Sequence, residues 1–225
     1  MKKLLAAIIA AALLLSGCSL SSRPAVSAPP AETPSPSPTP IVTPTPAPEP
    51  SDDELVLVRD YIPGILIDLK YATTDNFTGQ VIYDSDEAYL RYGTVKKLLA
   101  AQNELSGRGL SLKIWDAYRP VSAQFKLWEI CPNPVYVSNP NNGYSKHSRA
   151  NTVDITLVTS TGESIPMPSG FDDFTSLADR DYSDVSAEAA ENARLLESIM
   201  VENGFVPYSG EWWHYSDSVS YDVYG

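Results

Sequence analysis

From Asn151 to Thr159 apolar and polar residues alternate, so Val153, Ile155 and Leu157 share one face of a predicted strand while Thr152, Asp154 and Thr156 share the other. Leu110 to Trp115 reads as a second short strand, which delivers Asp116-Ala117-Tyr118-Arg119-Pro120 at its C-terminal end. After Pro63-Gly64, Ile65, Ile67 and Leu69 alternate with Leu66 and Asp68, a third strand signal that runs into a polar loop. Between Asp86 and Leu105, apolar residues recur at helical spacing until Gly107 and Gly109, which predicts a helix with a break near Gly93. Ser122 is placed to cap a helix ending at Ile130. Ser186 is placed to cap another, with Ala189, Ala193, Leu196 and Met200 on one face and Asn203-Gly204 as its stop. Two extended segments, Phe205 to Tyr208 and Glu211 to Tyr215, close the pattern around Ser209-Gly210. Few helices and several short strands without regular βαβ alternation predict an α+β class: one compact domain with a small, mainly antiparallel sheet flanked by helices.

That pattern begins only after residue 50. Lys2 and Lys3 precede an apolar run from Leu4 to Leu15, too short to span a bilayer as a helix and ending in Leu15-Ser16-Gly17-Cys18. Residues 1–18 therefore read as a secretory signal whose end resembles a bacterial lipobox. Cleavage before Cys18 would leave that cysteine carrying lipid, with the domain anchored to the outer side of the cytoplasmic membrane. The alternative is an ordinary signal peptide removed together with Cys18. Residues 19–50 hold 11 of the 19 prolines and almost no large apolar side chains, so they cannot bury a core. They read as a disordered tether. In the polyproline II form, at about 3.1 Å per residue, such a stretch reaches up to roughly 90 Å.

Residues 51–225 are long enough for one domain with a sizeable core. They carry 26 acidic and 13 basic residues, a balance that disfavours nucleic acid or other polyanions as partners. Cys131 is the single cysteine in this part, so it has no internal disulfide.

The chain has two histidines, and both lie beside carboxylates. His147 stands in a polar loop seven residues before Asp154, and His214 follows Glu211 by three. Histidine, aspartate and histidine with one open position are the donors a catalytic zinc needs, and a glutamate beside the last ligand can take a proton from water. The plainer reading makes His147 a surface loop residue, Asp154 a satisfied polar group on a half-exposed strand, and Trp212-Trp213-His214-Tyr215 a core strand. One conflict tests the metal reading. On a regular strand Glu211 and His214 point to opposite faces, so serving one centre requires a bend or bulge near Trp212 and Trp213.

Asp68 to Gly79, Trp115 to Pro120, Ser145 to Leu157, Phe171-Asp172 and Glu211 to His214 together resemble the VanX-type D-alanyl-D-alanine dipeptidases, over nearly all of residues 60 to 216. The resemblance implies a compact α+β zinc metallopeptidase. It implies that His147, Asp154 and His214 bind one Zn²⁺, that Glu211 is the general base, and that Arg119 stabilises charge developing on the peptide oxygen. A fixed guanidinium suits that last role because it does not change protonation; the alternative for Arg119 is a structural ion pair with Asp116. Similarity further implies that Tyr71 and Asp172 meet the substrate's free amino end, with Asp173 a neighbouring competitor, and that Ser145 contacts its carboxylate. Ala150 departs from the family pattern, which usually has glycine there.

The function so implied is hydrolysis of D-alanyl-D-alanine or related cell-wall peptides by an exported, lipid-anchored enzyme. The nearest rival is a zinc D,D-carboxypeptidase trimming peptidoglycan stem peptides. A rival of another class is a lipid-anchored binding module without catalysis, against which the intact Glu211, Arg119 and ligand set argue.

Overall fold

The computed structural model describes residues 48–225. In chain order they form β1 (Leu55–Leu57), α1 (Val58–Tyr61), β2 (Leu66–Ile67), β3 (Tyr89–Arg91), α2 (Tyr92–Ser106), β4 (Leu110–Asp116), α3 (Val121–Ile130), β5 (Thr152–Thr159), α4 (Ala187–Glu202), β6 (Phe205–Tyr208) and β7 (Glu211–Asp217). Short 3-10 turns occur at Lys70–Ala72, Lys146–Arg149 and Ser176–Ala178. The predicted signal with Cys18, and the tether up to residue 47, lie outside the described residues.

The alternating stretch is the middle of a five-stranded sheet ordered β2-β4-β5-β7-β6, in which the β2–β4 pair is parallel and every other pair antiparallel. A two-stranded ribbon, β1 with β3, completes an α+β domain. Both faces of β5 are covered, the polar one as well as the apolar one. Val153 and Ile155 are fully buried, and Thr152, Asp154 and Thr156 are buried too. The half-exposed strand of the plainer reading is thereby excluded. Val153, Ile155 and Leu157 join one core with Leu98 and Leu105 of α2 and Leu196 and Met200 of α4. Each such side chain removed from water contributes about 1.5–3 kcal/mol.

Three local expectations are corrected. The helix expected from Asp86 starts at Tyr92, because Tyr89–Arg91 instead pair antiparallel with Leu55–Leu57. Gly93 does not break that helix. It lies in the first turn, where an added Cβ would come within 2.5 Å of the Tyr221 hydroxyl and 3.2 Å of Asp52 Cβ. The strand expected over Ile65–Leu69 ladders only at Leu66–Ile67, since the chain turns away into Lys70–Ala72. Ser122 caps nothing: α3 starts at Val121, Pro120 occupies the cap position, and the Gln124 N–H donates to the Pro120 carbonyl. Ser186 does cap α4, accepting from the Ala189 N–H at 3.2 Å, and Gly204 (φ +86°) takes the left-handed conformation that ends it.

Candidate metal centre

Strand pairing brings the carboxylates and one histidine together before any side-chain detail is considered. Asp154 on β5 lies opposite Asp116 on β4 and opposite His214 on β7. Residues directly opposite in an antiparallel pair have Cβ atoms about 4.5–5.5 Å apart, so three neighbouring strands each aim one polar side chain at the same spot. Both outer strands are adjusted for this. The β4–β5 register shifts between Ile114 and Asp116. Along β6 one step, from Pro207 to Tyr208, is matched by four along β7, from Tyr215 to Glu211. This is the distortion that Glu211 and His214 required, and it falls on the buried Trp212 and Trp213. The Trp212 indole N–H donates to Ser169 Oγ at 2.9 Å and its ring meets Trp115 edge-on, which anchors the bulge in the interior.

His147 arrives from the turn Lys146–Arg149. Its Nδ1 lies 2.9 Å from the Ala117 carbonyl oxygen, which can only accept, so Nδ1 carries the proton and Nε2 presents its lone pair to the centre. Nε2 lies 3.3 Å from Asp154 Oδ2 and 3.4 Å from His214 Nδ1, and His214 Nδ1 lies 3.0 Å from Asp154 Oδ1. Ligands at about 2.0–2.1 Å from a tetrahedral zinc stand roughly 3.3 Å from one another, so the donor set fits that ion. Asp154 Oδ1 is buried yet makes no hydrogen bond in spite of the nearby imidazole, an orphaned acceptor of the kind a cation satisfies. Ala150, which follows this turn, is fully buried at φ +58°, the left-handed conformation in which glycine is the usual occupant.

Glu211 Oε2 lies 3.4 Å from His214 Nδ1 and opens on a cleft of about 290 Å³ that Ser145, Tyr136 and Tyr208 also line. Burial, reinforced by the Asp154 charge, raises its pKa above the usual carboxylate range, which makes it a better proton acceptor. For Asp154 burial also pushes upward, but the His147 and His214 imidazoles prevail and hold it far below its ordinary value, so it is an anion at any working pH. Ser145 Oγ accepts from the His147 N–H at 3.3 Å, so this side chain positions the ligand turn as well as facing the cleft.

The Arg119 guanidinium is held by two bonds to Asp116 Oδ2, from Nε at 3.1 Å and Nη2 at 2.5 Å, and by one from Nη1 to Gln124 Oε1 at 2.9 Å. The structural ion pair with Asp116 therefore exists, but it occupies only part of the fork. Of the five N–H groups three are engaged, leaving one on each Nη for a ligand. The guanidinium carbon sits 5.1 Å from the centre of the Tyr71 ring. Tyr71 in turn donates to Asp172 Oδ2 at 2.8 Å, and Asp173 instead accepts from Thr175, capping the turn that follows. Asp172 is thus the carboxylate directed at the site. Burial raises its pKa to about 7, with the Tyr71 bond pulling the other way and the charge of Asp154 adding to the rise.

Sequence reasoning missed two residues. Asp116 appeared only as an ion partner, whereas it is completely buried, accepts from Tyr83 at 2.5 Å and the Ala117 N–H at 2.9 Å, and lies 3.5 Å from His147 Nδ1. Its position at the end of a predicted strand beside Arg119 was the available signal. Arg180, in a polar loop, gave none; its side chain is nearly buried and donates to the carbonyls of Tyr208, Glu211 and His214.

Residues 51–221 match the Peptidase_M15 family, described as D-ala-D-ala dipeptidase. The D-alanyl-D-alanine dipeptidase of Escherichia coli (strain K12) is 39% identical over 162 residues, covering 72% of this chain and 83% of that relative. Its counterpart in Enterococcus faecium is 36% identical over 69% of this chain and 87% of its own, and that of Streptomyces coelicolor (strain ATCC BAA-471 / A3(2) / M145) is 37% identical over 72% and 91%.

Proposed function

The chain belongs to the Peptidase_M15 family of D-ala-D-ala dipeptidases and is a metallopeptidase, and from that premise we propose that it hydrolyses D-alanyl-D-alanine to two D-alanines with one zinc ion per chain. The observation that carries this reading is the convergence of His147, Asp154 and His214, whose ligand atoms lie within 4.8 Å of one another, beside Glu211. Zinc held by these three residues would supply Lewis-acid activation of water and of the scissile carbonyl. Glu211 takes the proton from the attacking water and passes it to the departing amine. Arg119, pinned to Asp116 and Gln124, turns its two free N–H groups to the oxygen on which negative charge develops. It needs no reorganisation to do so. Asp172 receives the substrate ammonium while Tyr71 orients that carboxylate, and Ser145 meets the C-terminal carboxylate at the mouth of the cleft.

The sequence of residues 1–18 supports export and lipid attachment at Cys18, so the proposed substrate is dipeptide, or wall-derived peptide, outside the cytoplasmic membrane. Steady-state assay of the purified 51–225 domain on D-Ala-D-Ala and on a stem pentapeptide, with and without chelator, tests the reaction. Chelator-sensitive cleavage of the dipeptide supports it. A preference for the pentapeptide would transfer the assignment to a D,D-carboxypeptidase, and absence of cleavage on either would leave a binding module. Membrane release of a Cys18→Ala variant, with the wild type retained, tests the anchor.

A further inference from the structure

The bulge in β7 that puts Glu211 and His214 on one centre has a cost in hydrogen bonds. Residues 212 to 214 have no counterparts on β6, so that edge of β7 loses the ladder partners an antiparallel pair would supply. A single side chain spans the gap and binds carbonyls at both of its ends. Arg180 reaches in from the loop before α4 with its side chain only 10% exposed. Its Nε donates to the Tyr208 carbonyl at 2.7 Å, and its Nη2 donates to the carbonyls of both Glu211 and His214 at 3.1 Å. Nη1 donates to Glu197 Oε2 on α4 at 2.9 Å and to the Tyr215 hydroxyl at 3.1 Å, and the guanidinium carbon lies 4.6 Å from the centre of the Tyr215 ring.

We propose that Arg180 is a positioning residue of the metal centre: it clamps the bulge at both ends and thereby sets the general base and the last metal ligand at once. The inference rests on the metallopeptidase reading for what Glu211 and His214 do, and on geometry alone for how they are held. All five N–H groups of Arg180 have an acceptor, so none remains for a substrate, in contrast with Arg119. The carbonyls it grips belong to the two functional residues themselves, three apart, and to Tyr208 across the turn. A lysine has three donors from one point and cannot span them. Arg180 therefore acts through backbone placement, and its loss should leave substrate contacts in place while moving the base and one ligand.

The test uses the full chain, solubilised in detergent, carrying Arg180→Ala and, separately, Arg180→Lys. Zinc affinity is read by competition with a chromophoric chelator in the absence of substrate, and kcat and KM are read on D-Ala-D-Ala at saturating zinc. Both variants are expected to hold zinc at least tenfold more weakly and to lose at least tenfold in kcat with KM changed less than threefold. Millimolar guanidinium, which fits the space the alanine opens, is expected to restore part of both losses. Folded variants with zinc affinity and kcat within twofold of wild type would overturn the proposal. So would losses that match the unfolded fraction measured by circular dichroism, or failure of both variants to fold, because Arg180 would then be a residue of general stability. Failure of the dipeptidase reading would appear separately, as wild-type protein that binds zinc without cleaving the dipeptide, and the zinc measurement would still decide the role of Arg180.

Discussion

Asp172→Asn is the substitution that isolates recognition of the substrate's amino end. In the free protein Asp172 has Tyr71 as its hydrogen-bond partner, and burial raises its pKa to about 7 from an ordinary 3.8. Three pKa units correspond to about 4 kcal/mol held against the ionised form, at about 1.36 kcal/mol per unit. A substrate ammonium seated against the carboxylate recovers part of that. Where an N-acetyl group stands instead, the carboxylate stays buried with Tyr71 but without a counter-charge, at a cost of about 1–3 kcal/mol or more. Discrimination of at least ~10² in kcat/KM for D-Ala-D-Ala over N-acetyl-D-Ala-D-Ala follows. The pH dependence has a definite sign. Below about 7 Asp172 is protonated and neutral, and above about 7.7–8.0 an α-amino group loses its charge, so kcat/KM for the free dipeptide should peak between those limits. In Asp172→Asn the limb near pH 7 should vanish, free-dipeptide efficiency should fall by about 10², and the acetylated compound should be cleaved no worse than by wild type. Linkage gives a second readout on substrate-free protein. The folded state binds this proton more tightly than the unfolded chain, so the contribution of Asp172 to stability is full below about pH 4 and is lost as pH rises toward 7, a slope that should be absent in the variant. An Asp172→Asn enzyme that keeps the 10² preference, or wild type that cleaves both compounds equally, would refute the reasoning.

Substituting His147 or His214 with alanine should remove zinc and activity together; metal analysis finding full occupancy in either would show the donor set to be wrong. Glu211→Gln should retain zinc while kcat falls by about 10²–10⁴, and turnover near wild type would assign the base elsewhere. Arg119→Ala should lower kcat by about 10²–10³ with a smaller change in KM. Because it leaves Asp116 buried without its guanidinium, it should also destabilise the fold by about 3–5 kcal/mol, read as the shift of the urea unfolding midpoint. An unchanged midpoint would mean that the Asp116 pair is solvated in solution.

Much of the site was legible because its chemistry is scarce. With two histidines in the chain, each near a carboxylate, residue type singled out the candidate donors, and the alternation through Val153, Ile155 and Leu157 put Asp154 on the face away from the apolar one. The capping serine of α4, its glycine stop and the strand that ends at Asp116 were legible for a related reason. Period, cap and stop are properties of neighbours in sequence. Even the bulge in β7 was foreseeable as a conflict, since a spacing of three cannot share a face on a regular strand.

What the tertiary structure decided depends on partners far away in the chain. Tyr89–Arg91 is a strand because Leu55–Leu57 pairs with it, although its own apolar spacing runs smoothly into a helix. Asp154 is buried because Asp116, His147 and His214 gather around it from distant parts of the chain. Asp116 is drawn into the site by register, His147 gains its tautomer from the Ala117 carbonyl, and Arg180 acquires meaning only when a bulge elsewhere leaves carbonyls for it to hold. Residue type and local period, which need no folding to exist, were determined by the sequence alone; register and the environment of each polar group were not, because both are set by which distant segments pack together.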